Sequence, residues 1–278
     1  MIFDSHCHPQ FPEYDQDRDE VIKRAQAAGV KMICVGTNLE NSQQAIELAE
    51  KYPEDVWATA GMHPNDHDND YDDDNDNDDD ERIEGLRRLA KHPKVVAIGE
   101  CGLDYYRIKN NDRVGHYIEI KEKQKELFLA QIKIAQELNK SLTIHCRPTK
   151  GTDDAYEDLV TIFQSSEGNL PKIVHFFVGG VETAKKLLDL GCYFTFGGVI
   201  TFARDYDEVI RFLPLGNILL ETDAPYVAPE PYRGKRNEPV YVIEVAKKLA
   251  EIKGLSIEAV INQTTKNTGQ VFGIQLSY

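Results

Sequence analysis

Several features that would define other classes of protein are missing from this sequence. No stretch contains the roughly 18 consecutive apolar residues of a membrane-spanning helix, and the N-terminus MIFDSHCH shows no basic segment followed by an apolar one, as a secretory signal would. The five cysteines, at positions 7, 34, 101, 146 and 192, are odd in number and form no CxxC pair. Buried, reduced thiols are therefore expected rather than a disulfide framework. These absences predict a cytosolic protein with no membrane partner.

Basic residues are scarce relative to acidic ones, and the formal net charge of −15 at first argues against a nucleic-acid partner. Ten Asp and one Glu, however, lie within residues 66–81, DHDNDYDDDNDNDDDE. Without those eleven carboxylates the charge is about −4, so the total says little about the remaining surface. The segment is nearly free of apolar residues, which predicts a flexible, solvated loop insertion. A calcium site is the alternative, but the glycine turn and terminal glutamate of an EF-hand loop are absent.

The sequence does contain a regular alternation of short β-branched runs and amphipathic stretches. The runs predict strands near residues 2–5, 32–35, 56–60, 95–99, 142–144, 173–175, 193–196 and 218–221. The amphipathic stretches predict helices near 18–28, 42–51, 83–91, 119–138, 183–190, 205–212, 239–252 and 257–265. This alternation is typical of parallel βα units, and 278 residues fit one α/β barrel of about 250 residues. We therefore predict a single-domain TIM-type (β/α)8 barrel over residues 1–278, with an open doubly wound sheet as the alternative.

Histidines and carboxylates recur at the carboxyl-terminal ends of the predicted strands. They are His6 and His8 after the first strand, His63 after the third, Glu100 after the fourth, His145 after the fifth, His175 in the sixth and Asp223 after the last. In a parallel barrel these strand ends converge on one face, where active sites are built. Packing does not readily explain such a convergence. It predicts a site for divalent cations and favours the barrel over the open sheet.

Each of these residues alone is a weaker indication. The spacing of His6 and His8 in a strand directs both imidazoles to one side, which suits zinc or a similar ion. Glu100 follows the apolar run VVAIG and would be costly to bury without a cation. His145 and His175, taken singly, are equally consistent with hydrogen-bonded core residues. The remaining histidines, His67, His92 and His116, are interpreted as ordinary surface residues.

Five motif blocks, in order along the chain, resemble those of the TatD-type deoxyribonuclease family. They are DSHCHPQF at 4–11, GMHP at 61–64, GECGLDYY at 99–106, IHCR at 144–147 and ETDAPYVAPEPYRGKRNEPVY at 221–241. Members of this family are metal-dependent hydrolases among the amidohydrolase-like barrels. The HxH pair is shared by many amidohydrolases, whereas the final block is long and specific.

The resemblance implies two divalent ions, which would be zinc, magnesium or manganese. By motif, His6, His8 and Asp223 would hold one ion, His145 and His175 the other, and Glu100 would bridge them. His63 resembles a pocket histidine that contacts substrate. Where the family usually has His-Cys/Ser-Phe-Ser/Thr-Gly, this chain has His175-Phe-Phe-Val178-Gly, so the ligand is retained but a hydroxyl is lost.

These assignments lead to the hypothesis that metal-activated water cleaves a phosphodiester bond of DNA, at single strands or ends. Asp223 and Glu100 would be the catalytic residues, with Asp223 orienting the water and accepting its proton. Arg147 and Arg233 would grip phosphate oxygens, although a solvated basic loop explains Arg233 equally well. Tyr105, with Tyr106 and Arg107, would line the pocket and offer aromatic faces for stacking; core packing is the alternative for both tyrosines.

Two other functions remain open from the sequence. The same ligand set would also serve an amide, lactone or aminoacyl ester hydrolase, because activated water attacks a carbonyl carbon equally well. The barrel could instead be a metal-binding scaffold without catalysis. A metal analysis that finds no bound ions would favour this alternative. The sequence indicates no obligate protein partner.

Overall fold

The computed structural model describes residues 1–66, 76–108, 114–166 and 168–276. Eight parallel strands form one sheet, in which each strand pairs with the next in chain order. They are β1 (Ile2–Cys7), β2 (Val30–Cys34), β3 (Val56–Ala60), β4 (Val95–Asp104), β5 (Ser141–Arg147), β6 (Lys172–Val174), β7 (Cys192–Phe196) and β8 (Ile218–Leu220). The order and parallel direction confirm the predicted (β/α)8 barrel.

Helices surround the strands on the outside of the barrel. The described helices are α1 (Arg18–Ala27), α2 (Leu39–Lys51), α3 (Asp76–Ala90), α4 (Val114–Leu138), α5 (Asp154–Ser165), α6 (Val181–Asp189), α7 (Asp207–Phe212), α8 (Val242–Lys253) and α9 (Ile257–Phe272). Local sequence sets several of their ends. Asn38 and Asn41 form a reciprocal capping box at the start of α2. Gly254 and Gly273 end α8 and α9 in the left-handed conformation that glycine adopts without strain.

Strands β8 and β1 meet through bonds at the carboxyl-terminal end of the barrel. The Ser5 hydroxyl donates to the carbonyl of Leu220 at 2.8 Å. The buried Asp4 carboxylate accepts from the backbone N–H of Thr222 at 2.9 Å and from its hydroxyl at 2.5 Å. One residue further, the N–H of Asp223 donates to the carbonyl of His6 at 2.9 Å. This closure holds the first and last segments of the chain side by side at the rim.

The core has two layers, as the period of two along a strand requires. The first layer contains strand residues such as Phe3, Ile33 and Leu219, which form a cluster of their own. The second layer contains the strand residues that alternate with them and pack against the outer helices. Val271 and Phe272, at the end of α9, join the cluster of the first layer. The Ser141 hydroxyl, at the first residue of β5, donates to the Val271 carbonyl, so the end of α9 covers the amino-terminal mouth of the barrel. Each large apolar side chain buried here stabilises the fold by about 1.5–3 kcal/mol.

Several boundaries differ from those predicted. Strand β4 continues to Asp104 and β5 to Arg147, so Glu100 and His145 lie within strands rather than after them. Helix α5 (Asp154–Ser165) was not among the predicted helices. Among the described residues, no helix combines the length and apolar character needed to cross a membrane. The five cysteines are free and buried, which confirms the expectation of reduced thiols.

The predicted loop at 66–81 needs correction. Helix α3 begins at Asp76 rather than near residue 83, so the end of the acidic segment is helical. Residues 67–75, which include His67, lie outside the described residues.

Candidate metal centre

The residues that the sequence selected as ligands meet at the carboxyl-terminal rim of the barrel. His6 lies near the end of β1, His8 directly after it, Glu100 within β4, His145 within β5, His175 directly after β6 and Asp223 shortly after β8. Asp223 adopts a left-handed backbone conformation with φ of 54°, which Asp tolerates better than most residues. Its backbone bond to His6 brings two of these segments into register. Side chains that are far apart in the sequence therefore share one small volume.

The backbone around Glu100 is held by close packing at neighbouring strand ends. Its N–H donates to the Gly36 carbonyl at 2.6 Å. A Cβ on Gly61 would lie 2.3 Å from the carbonyl carbon of Gly99 and 2.6 Å from the nitrogen of Glu100. Only glycine allows so close an approach, and this explains the first residue of the GMHP block. Close packing against the ends of β2 and β3 thus fixes the backbone from which the Glu100 carboxylate extends.

One group of side chains surrounds the Oε2 atom of Glu100. His6 Nε2 lies 3.5 Å and His8 Nε2 4.0 Å from that oxygen, and the two nitrogens are 3.2 Å apart. Asp223 Oδ1 is 3.8 Å from His6 Nε2 and 3.4 Å from His8 Nε2. Two imidazole nitrogens and two carboxylates converge here on one point.

A second group surrounds the other oxygen of the same carboxylate. His145 Nδ1 is 3.0 Å and His175 Nε2 is 2.9 Å from Glu100 Oε1, and the two nitrogens are 3.4 Å apart. The rings of His6 and His175 stack with their centroids 3.9 Å apart, which joins the two groups. Glu100 therefore lies between two sets of imidazoles and presents one oxygen to each.

The donor set suits divalent cations. The Val35 carbonyl can only accept, so the 2.7 Å bond to His8 Nδ1 puts the proton there and leaves a lone pair on Nε2. That lone pair faces His6 Nε2 and two carboxylates, an arrangement that a cation would satisfy. Imidazole nitrogen and carboxylate oxygen are ligands for zinc, and carboxylates also bind magnesium and manganese. Both groups contain members that could hold an ion.

Two buried carboxylates that the sequence analysis missed contact the histidines from behind. Asp104 Oδ2 lies 3.1 Å from His145 Nε2 and accepts from the Asn65 amide at 2.9 Å. Glu221 Oε2 lies 3.6 Å from His175 Nδ1. A carboxylate behind a histidine fixes its orientation and tautomer and makes it a better ligand. The available signal was their position at strand ends inside the motif blocks, the same signal that selected Glu100.

A backbone hydrogen bond sets the tautomer of His63. The N–H of Asn65 donates to His63 Nδ1 at 3.1 Å, so the neutral ring carries its proton on Nε2. That nitrogen points to Glu100 Oε1 at a distance of 3.6 Å. Burial and the neighbouring His145 lower the pKa of His63 to about 3, which keeps the ring neutral. His63 therefore presents an N–H donor to the site.

Three carboxyl groups of the site, those of Glu100, Asp223 and Asp104, have pKa values below their usual range. Burial raises the pKa of Glu100, but the charge of His175 and the hydrogen bonds from His145 and His175 outweigh this effect and hold the pKa well below its usual value. Burial raises the pKa of Asp223, but the neighbouring imidazoles of His8, His175 and His6 outweigh this effect and leave the pKa lowered. For Asp104, the hydrogen bond with His145 overcomes burial and lowers the pKa to about 2. The rim thus concentrates negative charge among imidazole nitrogens.

The arginines predicted to contact substrate differ in their position relative to the cleft. Arg147 lines the cleft above the histidines, and its guanidinium carbon lies 3.8 Å from the ring centroid of Tyr106. Arg107 also lines the cleft and is largely exposed. Arg233 is exposed but lies over the ring of Phe202, at 4.1 Å, and is not among the lining residues.

The expectation for Tyr105 was wrong. Its side chain is only 1% exposed, and its hydroxyl donates to Asp158 at 2.8 Å. Lys121 lies over its ring at 3.9 Å. Tyr105 follows β4, and because side chains alternate along extended backbone, it points away from the cleft into the helical layer. Tyr105 therefore packs in the core, as the alternative interpretation of the sequence proposed.

The cleft has a volume of about 640 Å³ and opens at the rim. This volume falls within the range of about 300–1,000 Å³ typical of small-molecule pockets. Its floor contains His8, Glu100, His145, His175 and Asp223. Any molecule that enters the cleft therefore meets the imidazoles and carboxylates at its base.

Comparisons with known proteins agree with this arrangement. The family model for TatD related DNase matches residues 3–273. The uncharacterized metal-dependent hydrolase YabD of Bacillus subtilis is 37% identical over 278 residues, which is 99% of this chain and all of that protein. The 3'-5' ssDNA/RNA exonuclease TatD of Escherichia fergusonii is 34% identical over 282 residues, covering 98% and 99% of the two chains. The crystal structure of YJJV, a TatD homologue from Escherichia coli, superposes with a TM-score of 0.82 at 29% identity, covering 99% and 98%.

The barrel and the cluster at its rim define this chain as a metal-dependent hydrolase. The match along nearly the whole sequence narrows the class further. The chain belongs to the TatD-related DNase family. The family resemblance and the fold predicted from the sequence are both confirmed.

Proposed function

We propose that this chain is a deoxyribonuclease that removes nucleotides from single-stranded DNA ends and uses two divalent ions. His6, His8 and Asp223 would hold one ion, His145 and His175 the other, and Glu100 would bridge them. The observation that carries this proposal is the contact of the two Glu100 oxygens with separate pairs of histidines, at 2.9–4.0 Å. Glu100 presents one carboxylate oxygen to each pair of histidines. This placement is better suited to a ligand shared by two cations than to a ligand of a single cation.

Two bound cations would supply Lewis-acid activation of water and neutralise charge that develops on a phosphoryl oxygen. The protein's own residues would do the rest. Asp223, ionised and close to His8, orients the attacking water and accepts its proton. His63 donates from Nε2 to a substrate oxygen, because Asn65 holds its other nitrogen as an acceptor. These two groups act on opposite partners of the reaction, the nucleophile and the phosphate.

The cleft favours a phosphodiester over a neutral ester or amide. Arg147 and Arg107 line the same side of the cleft, and guanidinium groups bind phosphate oxygens in a bidentate manner. Tyr106 packs on Arg147 and restricts its motion. Neither a lactone nor an aminoacyl ester offers these arginines an anionic oxygen at the scissile bond. We therefore prefer phosphodiester cleavage to the carbonyl chemistry that the ligand set alone would allow.

A strand end fits this site better than continuous duplex. The cleft volume of about 640 Å³ is that of a small-molecule pocket, which suits the end of a single strand better than a duplex. Even without the eleven carboxylates of residues 66–81 the net charge is about −4, so the sequence has no excess of basic residues to hold a long duplex. A relative from Escherichia fergusonii is named a 3'-5' ssDNA/RNA exonuclease, which supports single strands as the substrate class.

The proposal is tested by incubating chelator-treated protein with end-labelled single-stranded DNA. We expect no cleavage until Mg²⁺, Mn²⁺ or Zn²⁺ is added, and then stepwise shortening from an end, faster than for blunt duplex of the same sequence. His6→Ala protein, treated identically, should remain inactive. An aminoacyl ester and a lactone are assayed in parallel. Turnover of these with no shortening of DNA under any of the ions would overturn the nuclease assignment.

A second prediction concerns Asp104, which we infer is a positioning residue for His145. Asp104→Asn preserves the shape of the side chain but removes the charge that accepts from His145 Nε2. We expect the affinity for the ion at His145 and His175 to fall by about 10- to 100-fold, with the other ion held normally. Calorimetric titration of metal into chelated protein measures both affinities.

The matched control is Asp158→Asn. Asp158 is also a carboxylate near β4, bonded to the Tyr105 hydroxyl and paired with Lys125, and within the described part of the chain it makes no hydrogen bond or ion pair with a site histidine. Its metal affinities should equal those of the wild type. Equal affinities in the Asp104→Asn protein would contradict the positioning role.

A further inference from the structure

The loop after β6 carries this chain's departure from the usual family motif. Phe176 and Val178 occupy the positions where the family usually has Cys or Ser and Ser or Thr. Both side chains line the cleft, and Val178 is 42% exposed. Phe177 between them is buried against Tyr156 and Phe194. The two residues that differ from the family are thus the two that face the substrate space.

Backbone contacts hold this loop in place. The N–H of Phe176 donates to Thr195 Oγ1 and to Glu221 Oε1, each at 2.9 Å. The N–H of Val178 donates to the Tyr156 hydroxyl at 3.2 Å. The apolar side chains therefore belong to an ordered surface, whose shape is set before any ligand arrives.

The loop after β8 extends the same surface. Tyr226 and Val227 line the cleft and are 47% and 40% exposed. The loops after β6 and β8 flank the loop after β7, and the backbone oxygen of Val227 lies against Gly198 in that loop. We call Phe176, Val178, Tyr226 and Val227 the apolar wall. Four apolar or aromatic side chains that line one cleft suit a ligand with an apolar face.

The wall and the arginines lie on different sectors of the rim. Arg107 follows β4 and Arg147 ends β5, whereas the wall follows β6 and β8. The ligand groups of the candidate metal centre lie at the floor of the same cleft. The cleft therefore has a cationic sector, an apolar sector and a cation site, each with a different binding preference.

A nucleotide carries matching parts, since its phosphate is anionic and its base has a flat apolar face. We propose that the apolar wall is a base-binding subsite that holds the terminal nucleobase of the strand by stacking and apolar contact. This inference rests on the proposed nuclease function. Phe176, Val178 and Val227 have no side-chain donor or acceptor, so their contacts with a base do not depend on its hydrogen-bonding groups.

The test compares two single-stranded oligonucleotides, one unmodified and one whose terminal residues at both ends are abasic tetrahydrofuran units. We expect the metal-loaded wild type to cleave the unmodified strand with a kcat/KM about tenfold higher, the size of effect that base–aromatic stacking produces. The double variant Phe176→Ser/Val178→Ser should lose this preference through slower cleavage of the unmodified strand. Its rate on the abasic strand should fall much less, because that strand has no terminal base for the wall to hold.

Phe176 adjoins the proposed metal ligand His175, so a second variant leaves Phe176 unchanged. This variant, Val178→Ser alone, should lose part of the preference for the unmodified strand. Leu255→Ser is the control, because Leu255 is 45% exposed and lies outside the cleft lining. Wild-type cleavage of both strands at equal rates, or a full preference in the double variant, would overturn the base-binding subsite while leaving the nuclease assignment intact. If neither strand is cleaved, the nuclease assignment fails and the subsite with it.

Discussion

Replacing Glu100 by Gln is expected to lower kcat on single-stranded DNA by at least about 10³-fold, because the amide cannot bridge two cations. Removing that shared ligand costs about 4 kcal/mol of transition-state stabilisation. Gln retains the size of the side chain and the backbone packing against Gly36 and Gly61. We therefore expect the thermal unfolding midpoint of the metal-free protein not to fall. Steady-state cleavage kinetics and thermal melting measure the two effects.

Glu230→Gln is the matched control for this variant. Glu230 is an exposed carboxylate of a neighbouring rim loop, and its N–H bonds to Thr201. It has no contact with a site histidine among the described residues, so its kcat should equal the wild-type value. A Glu100→Gln protein with wild-type kcat would show that the carboxylate is not part of the reaction.

Asp223→Asn is expected to lower kcat by about 10²- to 10⁴-fold, with a smaller change in KM. The amide of Asn cannot accept a proton from water, and proton transfer by a positioned base contributes an effect of this size. Because Arg147, Arg107 and the apolar wall are untouched, binding of the strand should persist. Pre-steady-state cleavage of a labelled oligonucleotide separates the chemical step from binding.

Asp205→Asn serves for comparison, since Asp205 is an exposed carboxylate in the loop after β7. It should cleave DNA at the wild-type rate. A large rise in KM for Asp223→Asn with an unaltered kcat would contradict its role as proton acceptor and would assign it to substrate binding instead.

The sequence was sufficient to predict the fold because the barrel repeats a simple rule. Each strand is a short β-branched run and each helix an amphipathic stretch, and local periodicity reveals both. Strand ends were less predictable. Strand β4 runs through Glu100 to Asp104, past two glycines that usually indicate the end of a strand. Its length is determined by pairing with β5, a contact between distant parts of the chain that no local pattern contains.

The candidate ligands were predictable for a similar reason. In a parallel barrel, position at a strand end places a residue at the common rim, whatever its distance along the sequence. Which side of the chain faces the cleft was harder to predict. Tyr105 was wrongly expected in the pocket, because its orientation depends on how the segment after β4 packs beneath α4, where Gln124 bonds to Asp104.

The partners behind the ligands also required the structure. Asp104 and Glu221 were inside the quoted motif blocks, but nothing in the sequence shows that they face His145 and His175. The apolar wall is a comparable case. The sequence revealed that Phe176 and Val178 depart from the family, and only the structure revealed that both line the cleft together with Tyr226.

The central claim is that two cations share Glu100 at the rim, and the metal content of purified protein tests it most directly. Elemental mass spectrometry after dialysis should find two ions per chain in the wild type. His8→Ala and His145→Ala remove a ligand from different groups, so each should retain one ion. Equal metal content in the wild type and in both variants would contradict the claim.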